Sequence, residues 1–196
     1  MTVSPLIVLE RAVDVHRRLD RAGIRHAIGG ALALAYHVSQ ARATNDIDLN
    51  VSADPKKPQR VFDVLPDDVP WTKADVATVR SDGQVRLRWP VPDAGPPIPL
   101  DLFFPQHALH DAIDSRAELV PMLDASVPIL SATDLLVFKA LFDRRKDWAD
   151  IEELLRFGKV DVAEAGSWLE EIVGGADRRL GKLAEIVAEV GGGGCR

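Results

Sequence analysis

Apolar residues recur at helical spacing near the N-terminus, at Leu6, Leu9, Val13 and Leu19. Ser4-Pro5 precedes them, supplying a cap residue and a proline suited to the first helical position, so a helix ending near Gly23 is expected. Ile24 to Ile28 reads as a short strand leading into Gly29-Gly30. Ala31 to Tyr36, rich in Ala and Leu, reads as a helix, which puts the two glycines at a strand-to-helix turn. From Asp46 to Val51 polar and apolar residues alternate with period two, the mark of a half-buried strand with Ile47, Leu49 and Val51 toward the core. Asp54-Pro55 opens a further helix through Leu65. The segments Ala74 to Arg80, Gln84 to Trp89 and Ile98 to Phe104 are predicted strands, and prolines and glycines between Pro90 and Pro99 mark a loop.

After Pro128 the pattern turns helical. Ser131 can cap a helix through Phe142, and helices are expected over Asp147 to Phe157, Val162 to Val173 and Asp177 to Val190. There is no internal repeat. The predicted organisation is an α+β core over residues 1–130, with a mixed sheet flanked by helices, then a C-terminal helical bundle over 131–190. Residues 191–196, which begin with four glycines, are expected to be a flexible tail.

Composition narrows the setting. The 196 residues are 46% hydrophobic and 28% charged, ordinary values for a globular protein able to bury a core. The one cysteine, Cys195, allows neither a disulfide framework nor a cysteine-based metal site within a chain. Residues 1–10 lack the basic and apolar regions of a secretory signal, and no apolar run reaches membrane-spanning length, so a cytoplasmic protein with no membrane partner is expected. A net charge of -6 argues against nonspecific coating of nucleic acid, which relies on neutralising phosphates with Lys and Arg. It leaves room for local basic clusters, at Lys56, Lys57 and Arg60, at Arg80, Arg86 and Arg88, and at Arg144, Arg145 and Lys146, although solvated faces balanced by nearby acids account better for any single one.

Three features carry candidate chemistry. Asp46 and Asp48, two apart on a strand, emerge on one face and can hold one or two hard cations between them, though any half-exposed strand can present two acids to water. Asp101 interrupts the apolar strand Ile98-Pro-Leu-Asp-Leu-Phe-Phe104, where a carboxylate is costly unless it is paired or bound to metal. It is either a third ligand or the partner of an arginine such as Arg86 or Arg88. Gly29-Gly30 open a helix whose amides and positive dipole end suit phosphate oxygens. No Walker loop is present, and His16, His26, His37, His107 and His110 show no zinc spacing and are read as surface or core residues.

The order Gly29-Gly30-Ala31-Leu32-Ala33, then Arg42-Ala-Thr44-Asn-Asp46-Ile-Asp48-Leu49, then Asp101 resembles the DNA polymerase β-like nucleotidyltransferase superfamily. More narrowly it resembles the AbiEii and MenT group of nucleotidyltransferase toxins of prokaryotic toxin-antitoxin systems, whose later helix carrying Lys and Asp would here be Phe138-Lys139 through Asp147 and Asp150-Ile151. The likeness runs over most of 24–155.

It implies a metal-dependent transferase that uses a nucleoside triphosphate and Mg2+, as two ions. Asp46 and Asp48 would bind metal with Asp101 as third ligand, Gly29 and Gly30 would hold the triphosphate with Arg42 and Thr44 beside them, and Lys139 would contact the phosphates. Asp147 or Asp150 would orient that lysine or the base. Lys139 and Asp150, eleven residues apart, share a face if the helix is continuous.

The resemblance further implies transfer of nucleoside monophosphates to the 3′ end of transfer RNA, blocking translation. It also implies a cognate antitoxin, of kinase type if it acts on Thr44, where a phosphate would add up to about two negative charges. The other readings are a transferase acting on a small hydroxyl compound such as an antibiotic, and a noncatalytic nucleotidyltransferase-like binding module.

Overall fold

The computed structural model describes residues 3–39, 43–92 and 95–192. The chain divides into two compact units, one of Met1–Leu32 with Arg42–Ile129 and one of Ala33–Ala41 with Leu130–Arg196.

The first unit is built on a six-stranded mixed sheet in the order β3-β4-β2-β1-β6-β5, where β1 is His26–Ile28, β2 Ile47–Val51, β3 Gln84–Trp89, β4 Ile98–Phe103, β5 Glu118–Met122 and β6 Ala125–Ile129. The pairs β1/β6 and β2/β4 are parallel and the other three antiparallel. Period-two alternation produces this sheet directly, because every second side chain falls on one face. The register aligns Val85, Leu102, Leu49, Ile28 and Ile129 into one apolar row across five strands, all buried. Burying each such side chain stabilises the fold by about 1.5–3 kcal/mol, so the register cannot slip without exposing the whole row.

Helix α1 (Pro5–Arg21) begins as the sequence predicts, with Pro5 at its start, although Ser4 makes no side-chain cap bond. Its Val8, Ala12, Val15 and Leu19 are buried at three- and four-residue spacing.

Two predicted elements differ. Ala74 to Arg80 is not a strand but part of helix α4 (Lys73–Asp82). Thr72 and Asp75 close a capping box at its start, Gly83 takes the left-handed conformation at its end, and Val76 and Val79 supply the buried stripe. These end signals outweigh the apparent alternation. The helix expected from Asp54 shrinks to α3 (Gln59–Phe62). The stretch for which the pattern predicts no element holds α5 (Ala108–Arg116) and the β5–β6 hairpin, with Leu123 at φ 54 in its turn.

The second unit holds α6 (Ala132–Phe142), α7 (Arg145–Phe157), α8 (Val162–Val173) and α9 (Arg178–Gly192). Helix α2 (Gly30–His37) straddles the division between the units. Ser131 caps α6 by accepting from the Asp134 amide, and Asp161 caps α8 by accepting from Glu164. Asp143, at φ 55, ends α6, so Lys139 and Asp150 lie on separate helices rather than on one continuous helix. Helix α9 runs into the glycine run as far as Gly192, and the rest of the expected tail, Cys195 included, lies outside the described residues. Among the described residues no helix is long and apolar enough to cross a membrane.

Buried histidines give the first unit a pH dependence. His26 donates from Nδ1 to the Ile24 carbonyl at 2.8 Å, which leaves its Nε2 to accept from His16 Nδ1 at 2.8 Å. Burial lowers the pKa of both rings, and it lowers His110 to about 4, helped by His107. All three bind protons more readily when unfolded. Stability is therefore complete above the unfolded value near 6.5 and declines as pH falls toward 4, with His110 alone contributing about 3 kcal/mol to the loss. Urea melts at pH 7.5 and pH 5 check this, and an equal midpoint at both would refute it.

Candidate active site

Immediately beside the apolar row runs a polar one. Asp48 on β2 is in register with Asp101 on β4, and Asp101 with Arg86 on β3. On the other side of Asp48, the Gly29 amide donates to the Asp48 carbonyl at 2.8 Å. Four neighbouring strands thus bring together a glycine turn, two aspartates and an arginine from residues as far apart in the chain as Gly29 and Asp101. Asp46 stands one residue ahead of β2, half-buried like Asp48.

Asp48 and Gly30 require each other. Gly30 has φ +57, and a Cβ built on it would lie 1.7 Å from Asp48 Oδ2 and 2.5 Å from Asp48 Cγ. Only a residue without a side chain lets the carboxylate stand against the start of α2. Because the Gly29 amide is spent on the sheet, the amides that this helix start can offer to an anion begin at Gly30. Gly30→Ala is expected to cost about 1–3 kcal/mol in thermal or urea unfolding from backbone strain alone, and to displace Asp48. An unchanged melting temperature would show that the turn relaxes freely.

Asp101, expected as a third metal ligand, has both oxygens on Arg86: Nε donates to Oδ1 at 2.6 Å and Nη2 to Oδ2 at 2.5 Å. Asp101 is 7% exposed, and this two-pronged pair is how its buried charge is compensated. The hydrogen bonds that Arg86 donates to Asp101 raise its pKa, burial opposes this, and the charges of Asp101, Asp46 and Asp48 add to the rise. Arg86 thus lies within electrostatic reach of all three aspartates. Arg88, the other arginine the sequence offers, faces Pro99 in the register.

Thr44 reaches the same place: its hydroxyl donates to Asp46 Oδ1, and the Asp46 amide donates back to Thr44 Oγ1 at 3.3 Å. This is the loop-supporting role of a hydroxyl two residues ahead. Arg42 lies outside the described residues.

The later helical residues form their own arrangement in the second unit. Lys139 on α6 is 3% exposed and its ammonium lies 2.7 Å from Asp150 Oδ2 on α7, itself 7% exposed. Asp150 is therefore the carboxylate that orients Lys139. Asp147 instead accepts from Arg144 Nε at 2.6 Å and from the Arg144 amide at 3.2 Å, closing the first turn of α7.

The oxygen donors of Asp46 and Asp48 suit a hard divalent cation such as Mg2+. Among the described residues no three His, Cys, Asp or Glu side chains are gathered to hold a metal ion, and Asp101 is turned to Arg86. The sequence offers Arg86 and Arg88 alike as partners for Asp101, and the structure gives Asp101 to Arg86. The signal was present in the alternation of β3, which puts Gln84, Arg86 and Arg88 on one exposed face.

The chain has a nucleotidyltransferase-like fold: a mixed six-stranded sheet with helices, followed by C-terminal helices. It is similar to an antigenic nucleotidyltransferase-like protein from Paracoccidioides brasiliensis, with TM-score 0.55 and 17% identity over 96% of this chain and 89% of that one. It also matches JHP933 from Helicobacter pylori, with TM-score 0.48 and 15% identity over 98% and 96% of the two chains. A third match is the antibiotic-resistance factor ANT(2'')-Ia, with TM-score 0.47 and 13% identity over 93% and 97%. No family model and no curated protein matches the sequence.

Proposed function

We propose that this protein is a metal-dependent nucleotidyltransferase that moves a nucleoside monophosphate from a nucleoside triphosphate to an acceptor hydroxyl. The observation that carries this reading is the row in which the Gly29-Gly30 turn, Asp48 and Asp101 stand on adjacent strands, with Gly30 open against the Asp48 carboxylate. The acceptor hydroxyl gives up its proton to solvent, its oxygen forms a bond to the α-phosphorus, the bond from that phosphorus to the oxygen bridging to the β-phosphate breaks, and pyrophosphate leaves with that oxygen. Asp46 and Asp48 would hold the Mg2+ ions. When bound, these lower the charge on the triphosphate and favour the deprotonated acceptor oxygen. Gly30 leaves room for the phosphates, and the dipole at the start of α2 favours their charge. Lys139, Asp150 and Asp147 are the further site residues by resemblance.

The acceptor we propose is the 3′ end of transfer RNA, and the role that of a cytoplasmic toxin restrained by an antitoxin. The resemblance of the glycine and Asp-x-Asp motifs supports this, as does the exposed face of β3 carrying Arg86 and Arg88, which suits a polyanion. A kinase-type antitoxin would act on Thr44, whose hydroxyl already touches the Asp46 carboxylate. A phosphate there would repel both the triphosphate and Asp46.

The test is incubation of the purified protein with each α-labelled nucleoside triphosphate and Mg2+, in the presence of total transfer RNA, periodate-oxidised transfer RNA or a panel of aminoglycosides. Label is expected on intact transfer RNA alone, with Thr44→Glu inactive. Label only on an aminoglycoside would move the acceptor to a small hydroxyl compound. Label on nothing would leave a binding module, and full activity in Thr44→Glu would remove the proposed switch.

A further inference from the structure

The polar row holds a cation of its own. Asp101 is the most buried of the site's three aspartates, and the Arg86 guanidinium engages both of its oxygens. The two partners are unequal: the Asp101 side chain is 10% exposed and that of Arg86 55%. The carboxylate is therefore anchored in the sheet, while the guanidinium can leave toward solvent without opening the core. Arg86 also feels Asp46 and Asp48, so it offsets part of the negative charge that a metal would otherwise have to neutralise.

We propose that Arg86 is a resident counter-cation that keeps Asp101 out of metal coordination. Asp46 and Asp48 then bind the first divalent cation, and Asp101 becomes a ligand only when the guanidinium swings away. The inference rests on the transferase reading for the cation itself. Its physical basis is competition: a guanidinium held on both oxygens neutralises the carboxylate and repels a divalent ion brought to it, and a buried carboxylate stripped of its partner strongly favours any cation that can replace it. Arg86 is on this account a residue that sets metal affinity and stoichiometry through Asp101.

The experiment measures binding of Mn2+ alone, without nucleotide, by electron paramagnetic resonance and calorimetry. It compares the wild-type chain with Arg86→Gln, Arg86→Lys, Arg86→Gln/Asp101→Asn and Asp48→Asn. Arg86→Gln is expected to bind Mn2+ about tenfold tighter, or to bind one ion more, because Asp101 is released. The gain should vanish in Arg86→Gln/Asp101→Asn. Arg86→Lys, which keeps the charge but not the fork, should fall between, and it serves as the measurement if Arg86→Gln proves poorly folded by circular dichroism. A role in stability alone would weaken Mn2+ binding and could not strengthen it.

Wild-type binding that needs Asp48, but is unchanged or weaker in both Arg86 variants, would overturn the proposal and leave the transferase reading standing. No Mn2+ binding by any of the proteins would overturn both.

Discussion

Asp48→Asn is expected to lower nucleotidyl transfer on the order of a thousandfold while leaving the protein folded. The substitution keeps the shape of the side chain, so the close fit against Gly30 and the alignment with Asp101 survive. It removes one of the two negative charges proposed to hold the metal. Metal stabilisation of the transferring phosphoryl group amounts to several kcal/mol, and each ~1.4 kcal/mol is a tenfold change in rate, which sets the scale of the loss. Stability should shift by less than about 1 kcal/mol, because the main partner of Arg86 is Asp101 rather than Asp48. The measurement is initial rate and melting temperature on the same preparations. A variant retaining more than about a tenth of wild-type transfer would remove Asp48 from the chemistry, since no loss of metal binding could be that mild.

The second large effect lies in the helical unit. Lys139→Met leaves Asp150 charged, 7% exposed and without its ammonium partner, and is expected to cost about 3–5 kcal/mol in urea unfolding. Replacing both residues, as Lys139→Met/Asp150→Leu, should recover most of that loss, because the attraction within a buried pair does little more than repay its desolvation. The double variant also separates two roles. If Lys139 contacts nucleotide phosphates, the stable double variant should lose transfer activity and triphosphate affinity. Should it transfer at the wild-type rate, the lysine is a clamp between α6 and α7 and nothing more.

Much of the framework was readable from residue pattern. Gln84 to Trp89 and Val162 to Val173 match β3 and α8 end to end, since strict alternation and a capped helical stripe are local properties of the chain. The strand around Asp48, the glycine turn and the helix after Ser131 were legible for the same reason. Ala74 to Arg80 reads as a strand because Val76, Thr78 and Val79 are β-branched, and the Thr72–Asp75 box and Gly83 at the ends mark it as a helix. The pairing of Lys139 with Asp150 follows from the break at Asp143 and the packing of α6 on α7, so counting turns along one helix names the right partners for the wrong reason.

The sequence by itself determined which side chains share a face with Asp48 on its own strand, and that a buried carboxylate at Asp101 must find a partner. Both follow from local periodicity and the cost of desolvating a charge. What only the tertiary structure decided is who that partner is. Arg86 and Arg88 are equivalent in the sequence, two apart on one exposed face of β3. The antiparallel register of β3 on β4 sets Arg86 opposite Asp101 and leaves Arg88 opposite Pro99. Register is a non-local property, set by burial of a whole five-strand apolar row at once, and it is what places the Arg86 guanidinium on the Asp101 carboxylate.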